Sequence, residues 1–295
     1  GGNTVTMAVF SFTGNVTVNS GVTISLNAAG ASSRGFVLAS RGDLTFDGTL
    51  TANGGVGEEH DGRDTDSAGG LSGAGARNNG GKAENNGQPS QYTNSSNPGG
   101  GGNDQGGGSP ASAGGGGYGG KGDSAQGYAG PAYGTDELHL LYGGSGGGGA
   151  QGQFGTAGGG GGGGAIELVA LGALDVGGTI RANGARGKSE ADTTKIGYSG
   201  GGSGGGILLA GSAVDLTDAT IEAEGGGGVG WNNTSSGSYN SGPGGGGRIA
   251  FYVGNIWSAS NFETQDCEAN DDGQLDSVTV QGLTLPGTLS NVTVT

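Results

Sequence analysis

Seven consecutive glycines, Gly158 to Gly164, run straight into the alternating segment Ala165-Ile166-Glu167-Leu168-Val169-Ala170 and then into Thr179-Ile180-Arg181-Ala182-Asn183-Gly184. No other feature constrains the fold as strongly. A glycine tract has no side chain to bury and loses more conformational freedom on ordering than any other sequence. It can be part of a fold only if its backbone N–H and C=O groups find partners. The segment behind it alternates at period two, the mark of a half-buried strand. Glycine run, strand, second short strand and Asn-Gly turn therefore read as one structural unit.

That unit recurs. Phe36-Val37-Leu38-Ala39, Asp43-Leu44-Thr45-Phe46 and Thr49-Leu50-Thr51-Ala52 form a first copy closed by Asn53-Gly54-Gly55. Ile207 to Ala210, Val214 to Leu216 and Thr220 to Gly225 form a third, and Gly244 to Val253 a truncated fourth. From Ala39 to Leu50, Ala170 to Ile180 and Ala210 to Ile221 the spacing is 11, 10 and 11 residues. Ala182 and Ala223 are 41 residues apart, whereas Ala52 and Ala182 are 130 apart, so the repeat carries one long insertion. A unit of three short strands cannot bury its apolar face alone, and stacked copies can. The fold class expected is all-β: β-solenoid or β-helix-like repeats with packed polyglycine II helices. Residues 1–35 read as N-terminal strands, 36–254 as the glycine-rich repeat region and 255–295 as a C-terminal β cap or assembly module.

The insertion, 56–157, holds glycine-rich stretches near 68–82, 99–108, 114–120 and 143–149. A flexible linker is the default reading of such sequence. Recurrence of the tracts favours packing instead: extended glycine helices with three residues per turn leave their polar groups free to bond between neighbours. Glu137-Leu138-His139-Leu140-Leu141-Tyr142 reads as a further strand between tracts, and 184–203 and 224–243 as polar loops on one edge of the stack.

Glycine makes up 79 of 295 residues without a Gly-X-Y period, which excludes collagen. Net charge is −15, with 26 carboxylates against 11 Lys and Arg, so nothing neutralises the phosphates of a nucleic acid. No apolar run has the length of a membrane span. The start at Gly1 is compatible with a mature form after signal-peptide removal. Cys267, the single cysteine, excludes an intrachain disulfide.

Candidate chemistry is sparse. Gly201-Gly202-Ser203-Gly204-Gly205 has the outline of a nucleophile elbow, but no helix follows and only His60 and His139 could serve as base. Arg41-Gly42-Asp43 is an Arg-Gly-Asp tripeptide at a turn between strands. Two acidic stretches offer oxygens to calcium, a hard cation: Glu58 to Asp66, and Asp266, Glu268, Asn270, Asp272 and Asp276 around Gly273. Calcium is thus the one cofactor considered, against a solvated acidic loop. Glu167, Asp175, Asp215 and Glu222 lie on strands, where alternation directs them outward; a polysaccharide-cleaving β-helix would need such carboxylates paired in a cleft. Asn15, Asn94, Asn232, Asn233 and Asn291 stand in glycosylation sequons. Tyr118, Tyr128, Tyr133, Tyr142, Phe154, Tyr198, Trp231, Tyr239 and Trp257 stand among glycines, either to stack on sugars or to cover glycine backbone, with Trp231 and Tyr239 the candidates for glycan contact.

The phrases Gly-tract–Ala-Ile-Glu-Leu-Val-Ala, Gly-Thr-Ile-Arg-Ala-Asn-Gly and Gly-Gly-Gly-Gly-Arg-Ile-Ala-Phe-Tyr resemble glycine-rich β-helical surface and adhesin-type proteins of bacteria. The tracts are similar in kind to the polyglycine II sandwich of phage tail-tip adhesins. The resemblance spans about Phe36 to Val253 and implies a secreted, non-enzymatic structural or adhesive role, with no catalytic residues. The expected function is an extracellular subunit of an appendage, filament or surface layer that self-associates into a polymer. An adhesin for surface glycans is the alternative, with ice binding and polysaccharide cleavage behind it. Thr4 to Phe12 and Val278 to Thr295 are the segments able to add a strand to a neighbour.

Overall fold

The apolar alternations become strands of three parallel sheets in a computed structural model that describes residues 6–26, 34–61, 67–74, 76–77, 79–81, 104–105, 111–124, 129–135, 138, 140–151, 155–189, 197–233, 237–253, 256–259, 262–263 and 278–282. No helix occurs among them. The first sheet orders its six strands as Met7–Phe12, Gly35–Ser40, Ala165–Ala170, Gly206–Gly211, Arg248–Val253 and Val278–Gly282. The second stacks Val16–Val18, Leu44–Phe46, Ala173–Val176, Ala213–Leu216 and Ile256–Ala259. The third stacks Thr23–Ser25, Thr49–Thr51, Thr179–Arg181, Thr220–Glu222 and Phe262–Glu263. Each successive strand triplet is one rung, and every sheet visits the rungs in the same order. The arrangement is compatible with a β-helix or solenoid.

Register follows the repeat. Ile180 lies opposite Leu50 on one side and Ile221 on the other, reproducing the offsets of 130 and 41 residues. Inward positions stack like on like: Phe36, Ile166, Ile207 and Ile249 in one column, Leu44, Leu174 and Val214 in another. Ile166, Leu168, Leu174, Val176 and Ile180 are fully buried. Each such side chain contributes about 1.5–3 kcal/mol through burial. Corners are tied from rung to rung by side-chain amides and carboxylates. Asp43 N–H donates to Asn15 Oδ1 (3.0 Å) and Ala173 N–H to Asp43 Oδ1 (2.8 Å). At the exit of the third sheet, Asn183 N–H donates to Asn53 Oδ1 (2.9 Å) and Glu224 N–H to Asn183 Oδ1 (3.0 Å).

The glycine tracts are ordered by bonds between neighbours. Along the central tract, Gly158, Gly161 and Gly164 donate to Glu58, Gly55 and Ala52, while Gly160 and Gly163 donate to Gly200 and Ser203. Gly162 donates to Ser72 Oγ. In return its carbonyls accept from Gly70, Gly73, Gly144, Gly147 and Ala185. Residues three apart thus face the same neighbour, the period of a three-residue turn. Bond lengths near 2.8–2.9 Å recur along the tract. The same pattern continues from 200–206 to 242–245, so the tract at 158–164 bonds to that at 200–206 and this one to that at 242–245. The lack of side chains is a steric requirement. A Cβ on Gly163 would enter the carbonyl of Ala182 and stand 2.6 Å from Gly205 N.

Two sequence expectations are corrected here. Residues 138 and 140–142 form no strand: Leu138 adopts a left-handed backbone (φ 48°) incompatible with extension, because this segment instead turns its leucines onto the outer face of the first sheet. Most described residues of 184–203 and 224–243 are not polar edge loops. Gly187, Ser199 to Ser203 and Ser241 to Pro243 are buried in the glycine layer, where Gly187 N–H donates to Gly227 and Gly201 N–H to Gly242. Their backbone amides find partners there that a surface loop would take from water.

Candidate functional site

The strands before residue 35 take places in the three sheets as a first rung. Ala8, Phe10 and Phe12 stand in register with Phe36, Leu38 and Ser40, so they occupy inward positions. Val16 and Val18 align with Leu44 and Phe46, and Ile24 with Leu50. Phe36, Leu38, Leu44, Phe46 and Leu50 are buried, yet Phe10 is 51% and Phe12 48% exposed. Phe10 packs on Phe36 with ring centroids 5.5 Å apart, and among the described residues no further strand of the sheet lies beyond Met7–Phe12. The core therefore ends in open aromatic surface.

The same rung has open backbone. Gly35 N–H donates to Thr6 O, Arg41 to Phe12 O, Asp47 to Val18 O and Thr49 to Val22 O. In a parallel ladder alternate residues serve one neighbour, so the amides of Met7, Val9, Ser11, Thr17, Thr23 and Ser25 face away from the second rung. Among the described residues no strand lies across them. At the far end Val278–Gly282 is the terminal strand of the first sheet, and Ile256–Ala259 and Phe262–Glu263 terminate the other two. The pairing of Ile256–Ala259 contains a register shift opposite Val214 and Asp215.

A second feature lies on the outer face of the first sheet. Tyr118, Tyr133 and Tyr142 form a ring cluster, with centroids 4.9 Å apart between Tyr118 and Tyr133 and 6.2 Å between Tyr133 and Tyr142. Arg77 stacks over both Tyr133 and Tyr142 at 5.3 Å, and Arg248 over Tyr118 at 5.7 Å. Burial pushes the Tyr118 phenol above its usual range, reinforced by the neighbouring Tyr133. Tyr118 covers glycine, its ring and hydroxyl filling the space above Gly134 and Gly206. Next to the cluster a cleft of about 430 Å³ is lined by Met7, Leu138, Leu140, Leu141, Glu167, Leu208, Ala210 and Tyr252.

Most candidates from the sequence do not converge. Asp266, Glu268, Asn270, Asp272 and Asp276 lie outside the described residues, as do Asn94, Asn291 and Cys267. Of the other acidic stretch, Glu59 pairs with Lys188 at 3.3 Å and Glu58 Oε2 accepts from Ala68 N–H at 3.3 Å. Among the described residues no three acidic, His or Cys side chains gather into a metal site. Asn15 is exposed, with its side-chain oxygen engaged by Asp43. Asn232 and Asn233 belong to the hairpin strand Gly230–Asn233, which sets Trp231 opposite Tyr239 in register.

Ser203 is fully buried, and its hydroxyl accepts from Ser145 N–H (2.8 Å) and donates to Ser145 O (3.3 Å), a structural use within the glycine layer. Glu167 is on the first sheet, Asp175 and Asp215 on the second and Glu222 on the third, where Arg181 and Asn183 bond it. Burial, with the charges of Asp215 and Asp47, holds Asp175 above the usual carboxylate range, while the Thr217 hydroxyl and amide hold Asp215 below it.

Missed in the sequence were the inward role of Phe10 and Phe12 and the Arg–Tyr cluster. Alignment of Met7–Phe12 on Gly35–Ser40 at an offset of 28 residues would have revealed the first; nothing local encodes the second. Comparisons with protein-family models, with curated proteins and with solved structures gave no match.

Proposed function

We propose that the chain is a β-solenoid braced by a lattice of polyglycine II helices, and that it serves as a secreted, non-enzymatic structural subunit that polymerises end to end into an appendage, filament or surface layer. The observation that carries this reading is the first rung, where half-exposed inward aromatics and outward backbone groups occur together on three parallel edges. A second copy could continue all three sheets by laying its last rung on that surface. Such a contact is heterologous and does not close on itself, which yields open fibres rather than rings. Covering the exposed half of one phenylalanine contributes about 1–1.5 kcal/mol, and the edges add main-chain bonds. Net charge of −15 makes assembly favoured by salt, which screens repulsion between copies.

Electron microscopy and sedimentation over a range of protein, salt and calcium concentrations test the proposal. Wild type is expected to form filaments, and the double variant Phe10→Asp, Phe12→Asp to stay dispersed with the same circular dichroism. Dispersed wild-type monomers under every condition would refute polymerisation. A second reading, an adhesin for surface glycans, is favoured by the hairpin that opposes Trp231 and Tyr239. Glycan-array binding that disappears with Trp231→Ala would support it.

A further inference from the structure

The cleft beside the tyrosine cluster contains a carboxylate, Glu167, that no described residue pairs with. Its floor is the outer face of the first sheet, where Glu167 stands in register between Val37 and Leu208. Leu138, Leu140 and Leu141 form one wall, Leu138 and Leu141 buried and Leu140 51% exposed at the rim. Met7, Ala210 and Tyr252 complete the lining. The wall can lie so close because the strand positions beneath it are small: a Cβ on Gly206 would meet Tyr142 O, Leu141 Cδ1 and the Tyr118 hydroxyl.

Among the described residues lining this cleft, Glu167 is the one with an acidic or basic side chain. Among the described residues it has no hydrogen bond or ion pair, and the two arginines nearby in the fold are stacked on tyrosine rings. Its partial burial raises its proton affinity. A carboxylate on an apolar floor, without a partner, is costly unless a cation arrives to meet it. The volume falls in the range that holds small molecules.

We infer that this cleft is a binding site for a small organic ammonium ion, an alkyl- or arylalkyl-amine whose apolar body lies along Leu140, Leu141 and Leu208 and whose charged nitrogen meets Glu167. The complementarity has two parts. Leucine and tyrosine surfaces shed water onto the hydrocarbon, and the ammonium supplies the donors that the carboxylate lacks. Inorganic cations do not fit this description, because one carboxylate among leucines offers too few oxygens for a hard ion.

The experiment compares n-hexylammonium with 1-hexanol, which has the same apolar body without the charge, by calorimetric titration in 0.15 M salt with leucine methyl NMR to locate the site. Hexylammonium is expected to bind about tenfold more tightly than hexanol, the worth of one charge-assisted hydrogen bond. Shifts are expected at Leu140, Leu141 and Leu208. In Glu167→Gln the preference for the ammonium should vanish while hexanol affinity stays the same, a control that also reports an intact cleft. Equal affinity of the two probes for wild type, retention of the preference in Glu167→Gln, or shifts confined to other acidic surfaces would each overturn the assignment. None of these outcomes depends on whether the protein polymerises.

Discussion

Substituting a single central glycine by alanine tests whether the glycine layer is a bonded part of the fold or a filling between strands. Gly163→Ala is the sharpest case. Its new Cβ would enter the Ala182 carbonyl and approach Gly205 N to 2.6 Å. Those two atoms are themselves hydrogen-bonded at 2.7 Å, and Gly163 N–H donates to Ser203 O at 2.9 Å. The methyl must therefore part the segment around Ala182 from that around Gly205, or pull Gly163 from Ser203. Overpacking costs about 1–3 kcal/mol, and each buried polar group left without a partner a further 1–3 kcal/mol or so. With one polar group left unpaired a loss of about 2–6 kcal/mol follows, a large part of the 5–15 kcal/mol or so typical of a folded domain.

Gly14→Ala is the control, because nothing lies within 4 Å of its Cβ position. It is expected to be neutral or to stabilise by about 0.4–1 kcal/mol through the unfolded chain. Urea unfolding followed by far-ultraviolet circular dichroism measures both. A Gly163→Ala protein within about 0.5 kcal/mol of wild type, or equal losses in the two variants, would refute the close-packed layer.

Three further outcomes can be checked. Glu167 has its folded-state proton affinity raised by burial, so its contribution to stability is fully present below the unfolded-state pKa and is lost as pH rises through the folded value. Glu167→Gln should accordingly be more stable than wild type at pH 7 and no more stable in acid, by denaturant titration at each pH. The Tyr118 phenol is also raised by burial, so stability should fall as pH climbs past the ordinary tyrosine range near 10. Ultraviolet titration should show Tyr118 ionising only with unfolding, and a normal titration in the folded protein would contradict its burial. Arg181→Ala removes the partner of Glu222, whose side chain is 15% exposed against 38% for Arg181. The exposure of the arginine limits the loss to about 1 kcal/mol, measured by thermal or urea unfolding.

The rungs were legible because their signal is local and repeated. Leu50, Ile180 and Ile221 could be aligned by eye, and the structure pairs those residues. Tract-to-tract bonding could be expected from backbone accounting alone, since seven bare glycines must bond somewhere. The candidate sites were less legible. Leu138 reads as part of an apolar strand, but its backbone is left-handed and its side chain is buried in a cluster with Ala165 and Ala250, far away in the chain. Arg248 was read only as the start of a strand, and its position over Tyr118 joins a residue within the insertion to one beyond the third and fourth rungs.

The sequence by itself determined the period-two strands, the repeat that stacks them and the need of the tracts for backbone partners, because each follows from side-chain spacing or its absence. Only the tertiary structure decided which tract bonds to which, that Phe10 and Phe12 end the core half-exposed, and that Glu167 has no partner among the described residues on its apolar floor. The physical reason is that a glycine tract can bond equally well to any other. The choice among neighbours is made by the strands that hold each tract in place, and that information resides in no single segment.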